Sequence, residues 1–280
     1  MTPRLAFREP SPLPGFGLSF GVMMTMLSIV VIIPIGALLL RGVEIGTTEV
    51  WRTLNNERVW HALELSFTTA LWAALFNLVF GLALAWVLAR YRFPGRKIVD
   101  AVVDLPFALP TAVAGIALTT IYAPNGAFGQ LLAPLGIQVA YTRLGIWVAL
   151  VFVGLPFVVR TVQPVIEEIE HEVEEVSATL GAYRGRTFRR VILPMLTPAL
   201  LTGFALALAR SVGEYGSVIF IAGNLPNMTE IAPLLIVIRL EEYNHDGAVA
   251  IAIAMLAISF AMLLAINLIQ VWSRRRFGHA

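Results

Sequence analysis

Between Leu18 and Leu40 the chain runs twenty-three residues without a charged side chain. At 1.5 Å of rise per residue, such a run is long enough for a hydrocarbon core of about 30 Å, which takes about 20 apolar residues. The pattern then recurs. Leu65–Ala89 is uncharged and broken only by the amide of Asn77, Leu105–Ala123 starts directly after Asp104, and Leu144–Val159 is extended by Arg160. Leu193–Ala222 is long enough but contains Arg210 and Glu214, and Ala248–Trp272 is again uncharged. Six spans are expected, over 18–40, 65–89, 105–123, 144–162, 193–222 and 248–272. Only 14% of the 280 residues are charged, against roughly 25% in a soluble domain, so the chain cannot cover a water-facing surface. With 58% hydrophobic residues and a net charge of +2 it is not disordered either. Zero cysteines exclude a disulfide scaffold, an iron–sulfur cluster and thiol chemistry. The expectation is an all-α integral membrane protein forming a single transmembrane domain over residues 1–280.

Arg4 and Arg8 precede the first span in the manner of a secretion signal. Its apolar stretch far exceeds a 7–15-residue signal core and lacks a small-x-small cleavage site, so it is expected to remain as an anchor. Ile231–Leu240 is too short to cross and leads into Glu241 and Glu242. A short helix at the membrane surface, or dipping part-way in, is expected there. Cations set the orientation. One side collects Arg4, Arg8, Arg90, Arg92, Arg96, Lys97, Arg160, Arg184, Arg186, Arg189, Arg190 and Arg274 to Arg276. The other receives Arg41, Arg52, Arg58, Arg143 and Arg239. Both termini are therefore expected in the cytoplasm. The basic runs lack the aromatic interleaving that stacks on bases, and no nucleic-acid partner is expected.

The longest inner connection covers residues 163–192. Val165, Ile169, Val173, Val176 and Leu180 recur every three or four residues and predict one apolar stripe along a helix. Glu167, Glu168, Glu170, Glu172, Glu174 and Glu175 occupy the other face, and Gly181 supplies a C-terminal stop. Such an element is either a solvated helix joining two spans or a docking surface for another protein.

The segment Glu175-Val-Ser-Ala-Thr-Leu-Gly181-Ala182, followed by Val191, Leu193 and Pro194, resembles the EAA loop of ABC importer permeases. Val176 and Ser177 depart from the usual Ala-Ala, and Val191 stands where Ile is usual. The resemblance implies the type I ABC importer permease fold. It also implies a short coupling helix that enters a groove of an ATPase subunit, with Glu175, Ala178, Gly181 and Ala182 as the docking residues.

Asp104-Leu-Pro106-Phe-Ala-Leu-Pro110-Thr111 through Gly115 resembles the start of the third span in the T-type permease of bacterial sulfate/thiosulfate importers. Arg210-Ser211-Val-Gly213-Glu214-Tyr-Gly216 resembles a segment shared by sulfate and molybdate permeases, and Tyr91 through Arg96 and Phe157 through Val165 are also similar to these permeases. Pro106 and Pro110 remove backbone donors at the entry to the third span, where freed carbonyls must face protein or a water-filled cavity. They form either a packing kink or, with Thr111, part of a pathway wall. Arg210 in a span costs about 2.5–3.5 kcal/mol on insertion scales and needs a partner, which Glu214 offers at i+4. The pair, with Ser211 between its members, is either structural or a gate that exposes Arg210 to a passing anion.

A Walker A loop is absent, because the single lysine, Lys97, lies between Arg96 and Ile98. No catalytic or metal site is expected. No His-Glu-x-x-His occurs, and Ser211 lacks the glycine two residues earlier that a nucleophile elbow needs. The resemblance implies that ATP and Mg are used by a separate ATPase and that this chain binds no cofactor. It implies four kinds of partner: an ABC ATPase dimer, a second homologous permease, a periplasmic sulfate/thiosulfate-binding protein and the lipid bilayer of a bacterial inner membrane. A molybdate/tungstate-type importer is the alternative within the family. A stand-alone secondary carrier is the alternative outside it, although a carrier would not need an ordered docking loop.

Overall fold

Ser66, Ala70 and Ala74, then Asn77, Gly81 and Ala85, fall at four-residue intervals, and all six are buried. They form one face of α3 (Glu57–Arg90), a 34-residue helix capped by Asn56, whose side chain accepts the Arg58 N–H at 3.0 Å. Lipid tails are as apolar as leucine, so helices in a bilayer associate by close packing, and small residues permit it. The computed structural model describes residues 16–277, with side chains through Val271. Around α3 it arranges α7 (Arg143–Glu168) and α9 (Arg184–Val212), and these three make the most extensive helix–helix packing. Gly81 of α3 and Gly203 of α9 both close on Val158 of α7: a Cβ on either would lie 2.9–3.0 Å from it.

Among the described residues, five helices are long and apolar enough to cross a membrane: α1 (Phe16–Ile45), α3, α7, α9 and α12 (His245–Phe277). Helix α1 is continuous through a π-helical turn at Ser28–Ile32, and none of its residues is buried. It meets the rest of the fold through α12, with Gly42 against Ile253 and Arg41 facing Asp246 at 3.6 Å. Helix α2 (Thr47–Leu54) also packs on α12.

The third expected span differs from the expectation. Residues 105–123 do not form one helix. Helix α4 (Arg96–Ala108) contains Pro106 in its interior, and the chain breaks after it at Leu109 and Pro110. Helix α5 (Thr111–Tyr122) follows, and the stretch that it opens, Thr111–Leu135, sets off at 119° to α4. A residue before proline is pushed out of the helical region, and Leu109 is extended, with φ −88° and ψ 134°. At 12 residues α5 is about 18 Å long and is completed by α6 (Ala127–Leu132), so the unit is a broken span or a re-entrant loop.

The fifth span is also displaced from 193–222 toward the N-terminus. Helix α9 starts earlier, at Arg184, and ends at Val212, because Gly213 and the following turn interrupt it. A separate one-turn helix, α10 (Val218–Ile221), packs on α5. The segment around 231–240 forms α11 (Ala232–Glu241), whose Ala232, Leu234 and Leu235 are buried against α3 and α12.

In the inner connection the single apolar stripe is not realised. Helix α7 continues to Glu168, so Val165 belongs to a spanning helix, and Glu170 is extended (φ −63°, ψ 140°). Only then does α8 (His171–Thr179) begin. Ile169 is 5% exposed, while Val176 and Leu180 are 57% and 82% exposed. The break rotates the later residues away from the surface that buries the first ones. Of the cations assigned to the inner side, Arg4 and Arg8 lie outside the described residues, and Arg274 to Arg276 lie beyond the described side chains.

Candidate functional site: a docking helix and two broken spans

Helix α8 ends by reversing its backbone. Gly181 has φ +81°, a conformation that costs L-residues with a side chain. The Gly181 N–H donates to the Ala178 carbonyl at 2.9 Å and the Ala182 N–H to the Ser177 carbonyl at 3.0 Å. This is a complete Schellman closure, and it puts the expected stop at 181 on a geometric footing. Glu175, Ala178 and Ala182 line one side of a groove of about 1120 Å³, and Leu82, Trp86 and Phe188 contribute apolar wall. Three of the four expected docking residues therefore share one surface, with the fourth forming the turn between them.

The opposite wall belongs to the end of α3. Arg90 is only 10% exposed, and its Nη2 donates to the Ile169 carbonyl at 3.0 Å while lying 3.2 Å from the Glu174 carboxylate. Its Nη1 lies 3.2 Å from the His171 ring, and the guanidinium stacks over Trp86 at 5.6 Å. Trp86 in turn meets Phe188 edge-on at 5.7 Å.

The expected pathway residues separate into two groups. Thr111 opens α5 directly against Gly216, where an added Cβ would lie 2.2 Å from the Thr111 hydroxyl oxygen. Gly115, one turn on, is equally tight against the Ser217 backbone. The proline break and the Gly213–Ser217 turn are thus one packed unit, made possible by two glycines. Arg210 pairs with Glu214 at 2.5 Å, and the carboxylate is 1% exposed against 34% for the cation. Its other oxygen accepts the Ser217 N–H and hydroxyl, each at 2.8 Å. The i+4 pairing was expected across a helical turn. It occurs instead across the turn that ends α9, so the pair staples α9 to α10.

Pro106 and Ser211 fall elsewhere. Pro106 belongs to α4, which is tied to α7 by Arg160. That guanidinium donates to both Asp104 oxygens and to Asp100 Oδ1, each at 2.7 Å, and to Gln163 Oε1 at 2.9 Å. An arginine that the sequence places among the inner-side cations is a clamp between two helices. Ser211 is 3% exposed and faces the α7 side, where a Cβ on Gly154 would lie 3.4 Å from its hydroxyl and 2.6 Å from Asn77 Nδ2.

The family model for the binding-protein-dependent transport system inner membrane component matches residues 77–279. The chain belongs to this family. The permease is 48% identical to the sulfate transport system permease protein CysT of Salmonella typhimurium LT2, over 98% of this chain and 100% of that one. It is 47% identical to the protein of the same name from Escherichia coli K12, over 95% and 97%. Its fold matches a chain of a bacterial ABC transporter involved in the import of the acidic polysaccharide alginate, with TM-score 0.75, 18% identity and 92% and 96% of the two chains covered. It also matches a chain of the MetNI methionine ABC transporter in an inward-facing conformation, with TM-score 0.56, 19% identity and coverage of 77% and 94%. The permease thus has the type I ABC importer permease fold and is a multi-pass membrane protein, a transport component and not an enzyme.

Every site residue expected from the sequence of this permease lies inside the matched region, but three charged groups were not anticipated. Arg90 and Arg160 read as cations marking the inner side, and Arg58 as one marking the outer. Arg58 makes a two-pronged contact with Glu230, Nε to Oε2 and Nη2 to Oε1, both at 2.7 Å. One signal was available: Glu230 is a lone carboxylate directly before the apolar Ile231–Ile238 run, and a charge so placed needs a partner.

Proposed function

We propose that this permease forms half of the translocation pathway of an ATP-driven importer of sulfate and thiosulfate. The observation that carries the reading is the 48% identity, over essentially the full length of both chains, with a sulfate transport system permease. The other half is a second, homologous permease. The exposed surface of α1 and the unburied stripe of α3 through Trp72, Phe76, Val79 and Phe80 are available to it and to the bilayer. A periplasmic binding protein delivers the anion, and two ABC ATPase subunits supply the energy, with ATP and Mg held by those subunits. The complex lies in a bacterial inner membrane with both ends of this chain in the cytoplasm.

In this reading α8 seats in the ATPase through Glu175, Ala178 and Ala182, and Gly181 lets the chain turn back into the membrane. ATP binding brings the two ATPases and their docked helices together and turns the pathway outward. Pro110, Thr111 and the Gly213–Ser217 turn form a non-helical wall, and irregular backbone at membrane depth belongs beside protein or a water-filled cavity. Arg210 and Glu214 form the gate. While paired, Glu214 neutralises Arg210 and repels an anion; when the pair opens, Arg210 presents its charge to the passing oxyanion. Pro106 and Ser211 support the wall from behind, through α4 and α7.

The test is uptake in proteoliposomes containing the purified complex and its binding protein. ATP-dependent entry of radiolabelled sulfate, competed by thiosulfate and not by molybdate, is the expected result. Preference for molybdate would reassign the substrate, and uptake by this chain without an ATPase would make it a secondary carrier.

A further inference from the structure

Helix α8 is poorly attached to the body that it is meant to move. None of its residues is buried. At its N-terminus the extended Glu170 interrupts the helical rod, so a push on α8 does not pass stiffly up α7. At its C-terminus the reversal at Gly181 separates it from α9. Among the described residues, the hydrogen bonds and ion pairs that reach α8 from other helices all come from one side chain, Arg90.

We propose that Arg90 is the positioning residue that carries the movement of α8 into α3. The proposal rests on the reading of α8 as the ATPase-docking helix. The guanidinium is held on four sides: the Ile169 carbonyl at the break, Glu174 and His171 on α8, and the Trp86 ring one turn back on α3. A planar, five-donor fork can occupy all four positions at once; an ammonium is a point charge with no face to stack. A cation that merely marked the inner side would extend its charge to water. Arg90 is 90% covered and turned toward the docking helix. It also ends a helix that packs along both α7 and α9, so a displacement delivered to it reaches α7 at the Gly81–Val158 contact and α9 beyond it at Gly203.

The absence of cysteine in this chain allows a clean measurement. Val79→Cys on α3 and Glu172→Cys on α8, both at exposed positions, accept spin labels in the complete importer reconstituted in nanodiscs. With Arg90 intact, the interlabel distance is expected to stay narrow and unchanged between the nucleotide-free and ATP-bound states. With Arg90→Met it is expected to broaden, while the ATPase still co-purifies and hydrolyses ATP and transport per ATP falls roughly tenfold. Arg90→Lys should keep charge and assembly and recover only part of the coupling. Normal transport per ATP in Arg90→Met, or a distance that shifts with ATP when Arg90 is intact, would overturn the proposal. Loss of the ATPase from Arg90→Met alone would also overturn it, making Arg90 an assembly contact. Failure of the underlying reading looks different: the chain with Arg90 intact would form no cross-link between Ala178→Cys and the ATPase.

Discussion

The Glu230 carboxylate, 1% exposed, is gripped by Arg58 through two parallel 2.7 Å contacts that join the first turn of α3 to the segment leading into α11. Removing one partner of a buried pair leaves an uncompensated charge, a loss of about 3–5 kcal/mol, whereas replacing both with apolar residues is far milder. Arg58→Met should therefore lower the thermal unfolding temperature of the detergent-solubilised chain substantially, and Arg58→Met with Glu230→Met should recover most of that loss. Equal destabilisation by the single and double variants would contradict a paired role.

The turn at Gly181 makes a cleaner separation of stability from function. Nothing lies within 4 Å of a Cβ built there, so substitution meets only backbone strain at φ +81°. That costs about 1–2 kcal/mol for an alanine. Gly181→Asp should insert and unfold at a temperature near the parent, yet fail to stimulate its ATPase or import anion. Parent-like hydrolysis and uptake would remove 181 from the docking surface.

The glycine contacts around α7 predict a graded series. Gly203→Ala puts a methyl 3.0 Å from the Val158 Cα, a backbone atom that cannot swing aside. Overpacking of this kind costs about 1–3 kcal/mol. Gly36→Ala in α1 meets nothing within 4 Å and should be neutral or slightly stabilising, because alanine is the better helix former. Thermal unfolding of the two variants side by side checks both the close packing of α7 with α9 and the openness of α1.

The gate assignment for Arg210 is tested through Glu214 as well as through the cation. Arg210→Met should assemble with its partners and transport at least tenfold more slowly, since one charged hydrogen-bonding group supplies about 1.5–3 kcal/mol. Glu214→Gln keeps the Ser217 contacts within reach of its side-chain oxygen but weakens the hold on Arg210. It should leak anion without ATP if the pair is a gate. A parent-like rate in Arg210→Met, or a tight Glu214→Gln, would return the pair to a purely structural staple.

What the sequence determined by itself follows from local composition. Uncharged runs such as 18–40 and 248–272 mark helices wherever the rest of the chain lies, because an apolar medium requires each backbone group to be satisfied within its own segment. The stop at Gly181 was equally local, since only glycine enters that conformation without a steric penalty. Apolar length by itself, however, cannot say whether a helix is continuous. The break at Leu109 and Pro110 was signalled by proline, but its 119° angle depends on α5 closing against Gly216, a hundred residues later in the chain. The charged residues show the same division. Their number and spacing were readable, but whether an arginine faces water or a carboxylate depends on which helices the fold brings beside it. Arg58 with Glu230 and Arg160 with Asp104 are separated by 172 and 56 residues. The desolvation that makes those contacts matter exists only once the helices have packed.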